Sequence, residues 1–244
     1  MWQQTRLLDT LTALCITGAL AMLAAALMIV WLRILPVESV TLAAPLVRVM
    51  PQEVADALQG RMNGNFLTLS LTRIRSSLES LPWVKSASVR RVWPNRLDIT
   101  LTEQRPVARW GNSGREWVNV EGDTFAAILP LHLQATLKEL PQLSGPSRTS
   151  AYLLNYYRES RQLLAPLGLT PVSITLSERL ALEMRLSNGM LLKLGREEMD
   201  GISSMRRLKK FVAAYPRFVA TRQQLPASVD LRYSNGFALS PSRP

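Results

Sequence analysis

Two residue types that most often build catalytic and metal sites are nearly missing from this chain. Of 244 residues one is cysteine, Cys15, and one is histidine, His132. A structural zinc site usually takes four cysteine or histidine ligands, which this pair cannot supply. A Ser–His–acid triad would have to be built around His132, which stands in an apolar, loop-like stretch. Cys15 lies inside a long apolar run, so the rest of the chain cannot form a disulfide and must be held by ordinary packing; the redox compartment stays open. The twelve glycines show neither Gly-x-Gly-x-x-Gly nor a P-loop. Negative charge is scarce as well, with 18 acidic residues against 29 Lys and Arg and a net charge of +11. That excess is spread as +1 over residues 1–35, +4 over 36–110 and +6 over 111–244, so it forms no tail. No Lys/Arg block exceeds a pair, and no basic motif is interleaved with aromatics. A tethered nucleic-acid binder, which would show steeply salt-dependent binding, is therefore a weaker reading than a basic surface beside anionic membrane or acidic partners.

What the chain does have is a long stretch without charge. Thr10 to Leu32 holds 23 such residues between Asp9 and Arg33. At about 1.5 Å per helical residue it reaches roughly 35 Å, enough to cross a hydrocarbon core of about 30 Å with some tilt. In lipid every peptide N–H must be satisfied inside the segment, so the run reads as a helix. A cleaved signal peptide is the alternative. Its apolar region is shorter, about 7–15 residues, and starts from a more basic flank than Arg6 against Asp9. Ala24-Ala25-Ala26 lies inside the apolar core, and Ala43-Ala44 is followed by Pro45, so neither is a good cleavage site. The reading is an uncleaved anchor with nine residues before it. Arg6 and the terminal amine face Arg33 and Arg48 across the run, so charge bias does not set its orientation.

The roughly 210 residues that follow suit two modest domains better than one small core. Pro36 closes the anchor, and Val37–Leu42 alternates like a strand. Pro51-Gln-Glu starts a short helix with Val54 and Leu58 on its apolar face, and Asn63-Gly64-Asn65 is a turn cluster. Leu71, Ile74, Leu78 and Leu81 mark a second helix, capped by Ser70 and ended by Pro82. Val84–Trp93 and Leu97–Glu103 read as a hairpin turning at Pro94-Asn95-Arg96. The order β-α-α-β-β gives a small sheet with two helices on one face, an α+β module.

Beyond Pro106 the pattern predicts a strand over Trp117–Asp123 with a turn at Glu121-Gly122-Asp123, and a helix over Ser150–Ala165. Leu180, Leu182, Met184 and Leu186 alternate, as do Met190, Leu192 and Leu194, with Asn188-Gly189 as a tight turn between them. A helix from about Glu197 to Tyr215 carries Ile202, Met205, Leu208, Val212 and Tyr215 inward. Its acidic start, Glu197-Glu198-Asp200, suits the helix dipole, and Arg206, Arg207, Lys209 and Lys210 read as its solvated face. Val229, Leu231 and Tyr233 begin a closing strand that runs on through Phe237 and Leu239 until Pro241.

Leu81-Pro-Trp-Val-Lys-Ser-Ala-Ser-Val-Arg-Arg-Val-Trp-Pro-Asn-Arg-Leu, continuing to Glu103, resembles the second half of a POTRA domain. With the anchor, Pro106-Val-Ala-Arg-Trp, Val118-Asn-Val-Glu-Gly-Asp-Thr-Phe, Leu194-Gly-Arg and Val229-Asp-Leu-Arg-Tyr, the chain from Val37 to about Leu239 resembles the FtsQ/DivIB family of bacterial cell-division proteins. The resemblance implies a non-enzymatic scaffold, without cofactor or metal, held in the inner membrane with its domains in the periplasm at the septum. The layout it implies is α+β: a cytoplasmic tail (1–9), a transmembrane helix (10–33), a POTRA domain (36–105), a mixed α/β "β domain" with a largely antiparallel sheet (106–240), and a short tail (241–244). It implies binding to the small coiled-coil proteins FtsB and FtsL, linking early and late division proteins to septal peptidoglycan synthesis. In the family the last strand offers its edge to a partner strand, with backbone bonds giving affinity and alternate side chains giving specificity. The matching positions are Tyr233 and Gly236 on that strand and Arg196, expected to pair with a partner acid. Asn235 stands where the family has serine, and Phe237 could replace an aromatic that some relatives carry later. Tyr233 and Phe237 fit a core as readily as an edge. Trp83 and Trp93 flank a POTRA strand, where one suits the core and either could mark a partner surface. The remaining alternative is an anchored peptidoglycan-cleaving enzyme using paired carboxylates.

Overall fold

The structure, a computed structural model, describes residues 2–34, 39–42, 46–62, 65–129, 133–196, 203–220, 225–233 and 236–240. The chain divides into two compact units, Met1–Glu103 and Gln104–Pro244. The uncharged run forms the body of α1 (Trp2–Ile34). Within it Thr12–Val30 is long and apolar enough to cross a membrane, and side chains such as Leu20 and Met22 stay exposed. Thr17 donates its hydroxyl to the carbonyls of Ala13 and Leu14 at 2.9 and 3.0 Å, so this polar group is satisfied within the helix.

After α1 come β1 (Ser39–Leu42), α2 (Pro51–Leu58), α3 (Leu71–Glu79), β2 (Val84–Val92) and β3 (Arg96–Glu103). The strands lie in the order β1-β3-β2, with β1 parallel and β2 antiparallel to β3. Leu97, Ile99 and Leu101 are buried, as period-two alternation requires, and so are Val54, Leu58, Ile74 and Leu78 of the helices. Ser70 caps α3 by accepting from the Arg73 N–H. Two carboxylates do work that local pattern does not announce. Glu103 accepts the N–H groups of Val47, Arg48 and Val49 at 3.0, 2.7 and 2.9 Å, with the Arg48 guanidinium 3.4 Å from its other oxygen. Glu79 accepts from Arg75 and from the N–H of Ala87 on the edge strand β2, covering a donor that would otherwise face outward. The Arg75 hydrogen bond, and after it the Ala87 N–H, holds the Glu79 carboxyl below its ordinary value.

The second unit contains β4 (Pro106–Trp110), β5 (Glu116–Asn119), β6 (Thr124–Ala126), α4 (Gln134–Lys138), β7 (Gln142–Ser144), α5 (Ser150–Leu164), β8 (Pro171–Leu176), β9 (Ala181–Leu186), β10 (Leu191–Arg196), α6 (Ser204–Ala220), β11 (Ser228–Asp230) and β12 (Ala238–Ser240). The described strands form one mixed sheet in the order β12-β11-β10-β9-β8-β7-β4-β5-β6. Three neighbour pairs, β10–β11, β7–β8 and β4–β7, are parallel and the other five antiparallel. Leu143, Ile174, Met184 and Leu192 from the sheet share a core with Leu153 and Leu164 of α5 and Leu208 and Phe211 of α6. Burial of that apolar surface, about 25 cal/mol per Å², drives the packing. In the Val118-Asn-Val-Glu-Gly-Asp run, the Asn119 side chain accepts the N–H groups of Glu121 and Asp123 and so closes the β5–β6 turn. Gly122 has a φ of 94°, and a Cβ there would lie 2.7 Å from Ala151 Cα, so the turn admits only glycine.

Several expectations change. Leu180 is an exposed turn residue with φ of 57°, outside β9. Strands β4, β7 and β8 and the short α4 are additional elements; β8 does alternate, Val172, Ile174 and Leu176 against Ser173 and Thr175, whereas β4, β7 and α4 show no clear period. The last helix starts at Ser204 and continues past Pro216 to Ala220; Glu197, Glu198, Asp200 and Ile202 lie outside the described residues, as does His132. Arg207 belongs to the buried side of α6, at 5% exposure, because its guanidinium donates to the Arg196 carbonyl. Trp83, at 4% exposure, is core, whereas Trp93 is 61% exposed. The closing segment folds back on itself: β11 and β12 pair antiparallel, Val229 opposite Leu239, with Tyr233 and Gly236 in the connection between them.

Candidate partner-binding edge

Strand β12 ends the sheet, and its position is set by the elements behind it. Asn188-Gly189 reverses the chain between β9 and β10, with Gly189 at a φ of 84° and the Leu186 N–H donating to the Met190 carbonyl at 2.9 Å. That register buries Met190, Leu192 and Leu194. At Gly195 β10 shifts register, with φ of 74°. A Cβ at this position would come within 2.8 Å of Arg232 Cγ, so the missing side chain lets the segment after β11 lie against β10. β11 then pairs parallel with β10, Lys193 opposite Asp230, and the Leu231 N–H donates to the Lys193 carbonyl at 2.9 Å.

The end of β11 is locked by a two-residue ion pair. Arg232 Nε lies 2.9 and 3.0 Å from the two oxygens of Asp230, and the Arg232 N–H donates to Asp230 Oδ1 at 3.0 Å. The Arg232 hydrogen bond holds the Asp230 carboxyl below its ordinary range, and Asp230 in turn raises Arg232. Arg196 is the last residue of β10, and Tyr233 follows the end of β11 by three residues. Both are exposed, Tyr233 at 60%. Gly236 is also exposed, with open space where a Cβ would be. Phe237 is half-buried and anchors β12 to the core: its ring meets Phe211 edge-on at 6.4 Å. Arg196 and Tyr233 are thus exposed, whereas Phe237 is a packing residue. Asn235 lies outside the described residues.

Sequence reasoning did not find Ala238, Leu239 and Ser240 as the outermost strand; Ala238 and Ser240 are exposed and Leu239 half-buried. The signal that could have found them is Asn235-Gly236, the same turn dipeptide as Asn188-Gly189. Exposed Arg206, Lys209 and Lys210 on α6 add positive charge to the same unit. Among the described residues no cluster of three His, Cys, Asp or Glu is placed to hold a metal ion.

A helix fit to cross a membrane, a β-α-α-β-β module and a mixed sheet ending in a short open strand together define a POTRA protein coupled to a β domain. Residues 35–104 match the family described as POTRA domain, FtsQ-type, and residues 108–232 match Cell division protein FtsQ/DivIB, C-terminal. Relatives named Cell division protein FtsQ include one from Shewanella oneidensis, 38% identical, covering 84% of this chain and 74% of the relative. One from Burkholderia pseudomallei is 41% identical over 74% and 69% of the two chains. Another from Bordetella pertussis is 34% identical over 98% and 93%. The chain belongs to the FtsQ/DivIB family, and its work is in cell division.

Proposed function

We propose that the chain is a scaffold of the division complex, anchored in the inner membrane by α1 with both folded units in the periplasm. Strand β12 is its docking edge. It receives an extended segment of FtsB, with FtsL joined to that partner, and through them the scaffold links early division proteins to septal peptidoglycan synthesis. The observation that carries this reading is the open strand Ala238–Ser240 at the end of the sheet, flanked by exposed Tyr233 and Arg196. An edge strand is a template for another strand unless something covers it. Added backbone pairing gives affinity, and the flanking side chains select the partner. Arg196 provides a cation for an acidic partner residue, and Tyr233 a large surface at low entropic cost.

The test is binding of the full chain, in lipid nanodiscs, to the exported parts of FtsB and FtsL. Tyr233→Ala should weaken it about tenfold or more, equivalent to about 1.4 kcal/mol. Equal binding by the folded variant would remove Tyr233 from the interface. A scaffold should leave purified peptidoglycan uncut in the same preparation; cleavage by the chain alone would favour the anchored-enzyme reading instead.

A further inference from the structure

We infer that the β2–β3 hairpin tip of the first unit is a membrane-surface foot, seating Trp93 among the anionic headgroups of the bilayer that holds α1. This rests on the reading of α1 as an anchor, and the register of β1 supplies the rest. Ser39, the first residue of β1, pairs with Arg96, the first residue of β3. The hairpin tip therefore stands beside the point where the chain enters the module. From Ile34 at the end of α1 to Ser39 is five residues, which span at most about 18 Å when fully extended. The tether thus holds the tip within reach of the headgroup layer.

What stands at the tip suits that layer. Trp93 is 61% exposed, yet it is not a loose side chain: its ring meets buried Phe66 edge-on at 5.8 Å. Leu67, 43% exposed, lies beside Phe66 in a turn that Arg91 fastens to the hairpin. The Arg91 guanidinium donates to the carbonyls of Phe66, Leu67 and Leu69 at 2.7, 3.2 and 2.6 Å. A tryptophan with an apolar body and a polar N–H is the residue type that concentrates at membrane–water interfaces. Around it the charge has one sign. Between Arg61 and Ile74, and between Val84 and Leu97, the sequence contains no acidic residue. Arg90 and Arg96 share the single carboxylate of Asp98 at 3.1 and 3.7 Å, and both guanidinium side chains stay more than half exposed. One carboxylate against two arginines leaves a net cation, which phosphate-bearing headgroups complement. At a water-exposed tip an apolar Trp93–Leu67 pair has no gain to offer; at a headgroup layer it is buried by the membrane itself. The foot would fix the height of the first unit above the bilayer.

The test uses the full chain with Cys15→Ala and a single environment-sensitive fluorophore on Asn95→Cys, reconstituted into vesicles. One vesicle set contains phosphatidylglycerol and the other phosphatidylcholine alone. A parallel label at Trp31→Cys reports the anchor, and one at Ser80→Cys reports the opposite end of β2. The expected result in anionic vesicles is a blue-shifted Asn95 label, quenched by lipids brominated near the headgroup, while the Ser80 label stays aqueous. Trp93→Ser should lose the shift. So should the paired change Arg90→Ser and Arg96→Ser, which alters only exposed side chains. An aqueous Asn95 label beside a quenched Trp31 label overturns the foot and leaves the anchor standing. An aqueous Trp31 label overturns the anchor and the foot with it. Equal quenching in both lipids, or a shift only after the exported parts of division partners are added, also overturns the proposal, the latter in favour of a protein-binding tip.

Discussion

At the scale of single residues, the strongest structural commitments are a few carboxylates and glycines whose partners are distant in sequence. Glu103 is the acceptor for three consecutive backbone N–H groups, two of them part-buried. Hydrogen bonds to a charged group contribute about 1.5–3 kcal/mol, so Glu103→Ala should cost about 2–3 kcal/mol by denaturant unfolding. Glu103→Gln, which keeps an acceptor without the charge, should lose less; a loss equal to that of Glu103→Ala would mean that the neutral acceptor contributes nothing. Asp230 makes a prediction in pH. Its carboxyl is held below its ordinary value near 3.8 by Arg232, so between the two values the folded state binds fewer protons than the unfolded. The stabilisation is fully present above that ordinary value and is lost as pH falls through the lowered one. Asp230→Asn should therefore destabilise at neutral pH, with the gap to wild type closing below about pH 3.8. A gap that stays constant through acid would contradict the ion pair. Gly195→Ala combines a φ of 74° with a 2.8 Å approach to Arg232, and an expected loss of about 1–3 kcal/mol in thermal unfolding checks the close packing of β10 on that segment.

At the scale of elements, β12 is the piece on which the proposed docking turns. Leu239→Pro removes the middle N–H of that strand and, whichever side it faces, breaks either the ladder to β11 or the edge offered to a partner. Partner binding should fall sharply, while Leu239→Val should bind like wild type; full binding by Leu239→Pro would move the interface away from β12. This strand also shows where sequence reading succeeds and fails. The Asn188-Gly189 hairpin is legible because a full alternating run stands on each side of the turn dipeptide, Leu182, Met184 and Leu186 before it and Met190, Leu192 and Leu194 after it. The reversal between β11 and β12 hides because those strands are only three residues long, while Val229, Leu231, Tyr233, Phe237 and Leu239 keep one parity and read as a single strand. The β-α-α-β-β module is legible because each element carries its own period, and Ile74, Leu78, Leu97 and Ile99 are buried as that period requires. β7, three residues long, is too short to show one. Arg207 misleads for another reason: its buried side of α6 is defined by a bond to the Arg196 carbonyl, a long-range fact absent from helical spacing. At the candidate site, Arg196 and Tyr233 could be named from the resemblance, but the strand between Ala238 and Ser240 needed the pairing itself.

At the scale of the whole molecule, the net charge of +11 fits the two surfaces proposed for it: a basic hairpin tip toward anionic lipid and a second unit that carries exposed Arg196, Arg206, Lys209 and Lys210. Such charge acts on encounter and specificity more than on final affinity. Partner association should therefore slow as salt rises, with a smaller change in the dissociation rate; stopped-flow binding at several ionic strengths checks this, and salt-independent association would argue against charge steering. The central claim is that a partner strand adds to β12. The most direct measurement is hydrogen exchange on the full chain in nanodiscs, with and without the exported part of FtsB. The account predicts that amides of residues 238–240 become strongly protected in the complex, while β6 at the other end of the sheet is unchanged. Tight binding that leaves β12 exchanging as freely as before would contradict it.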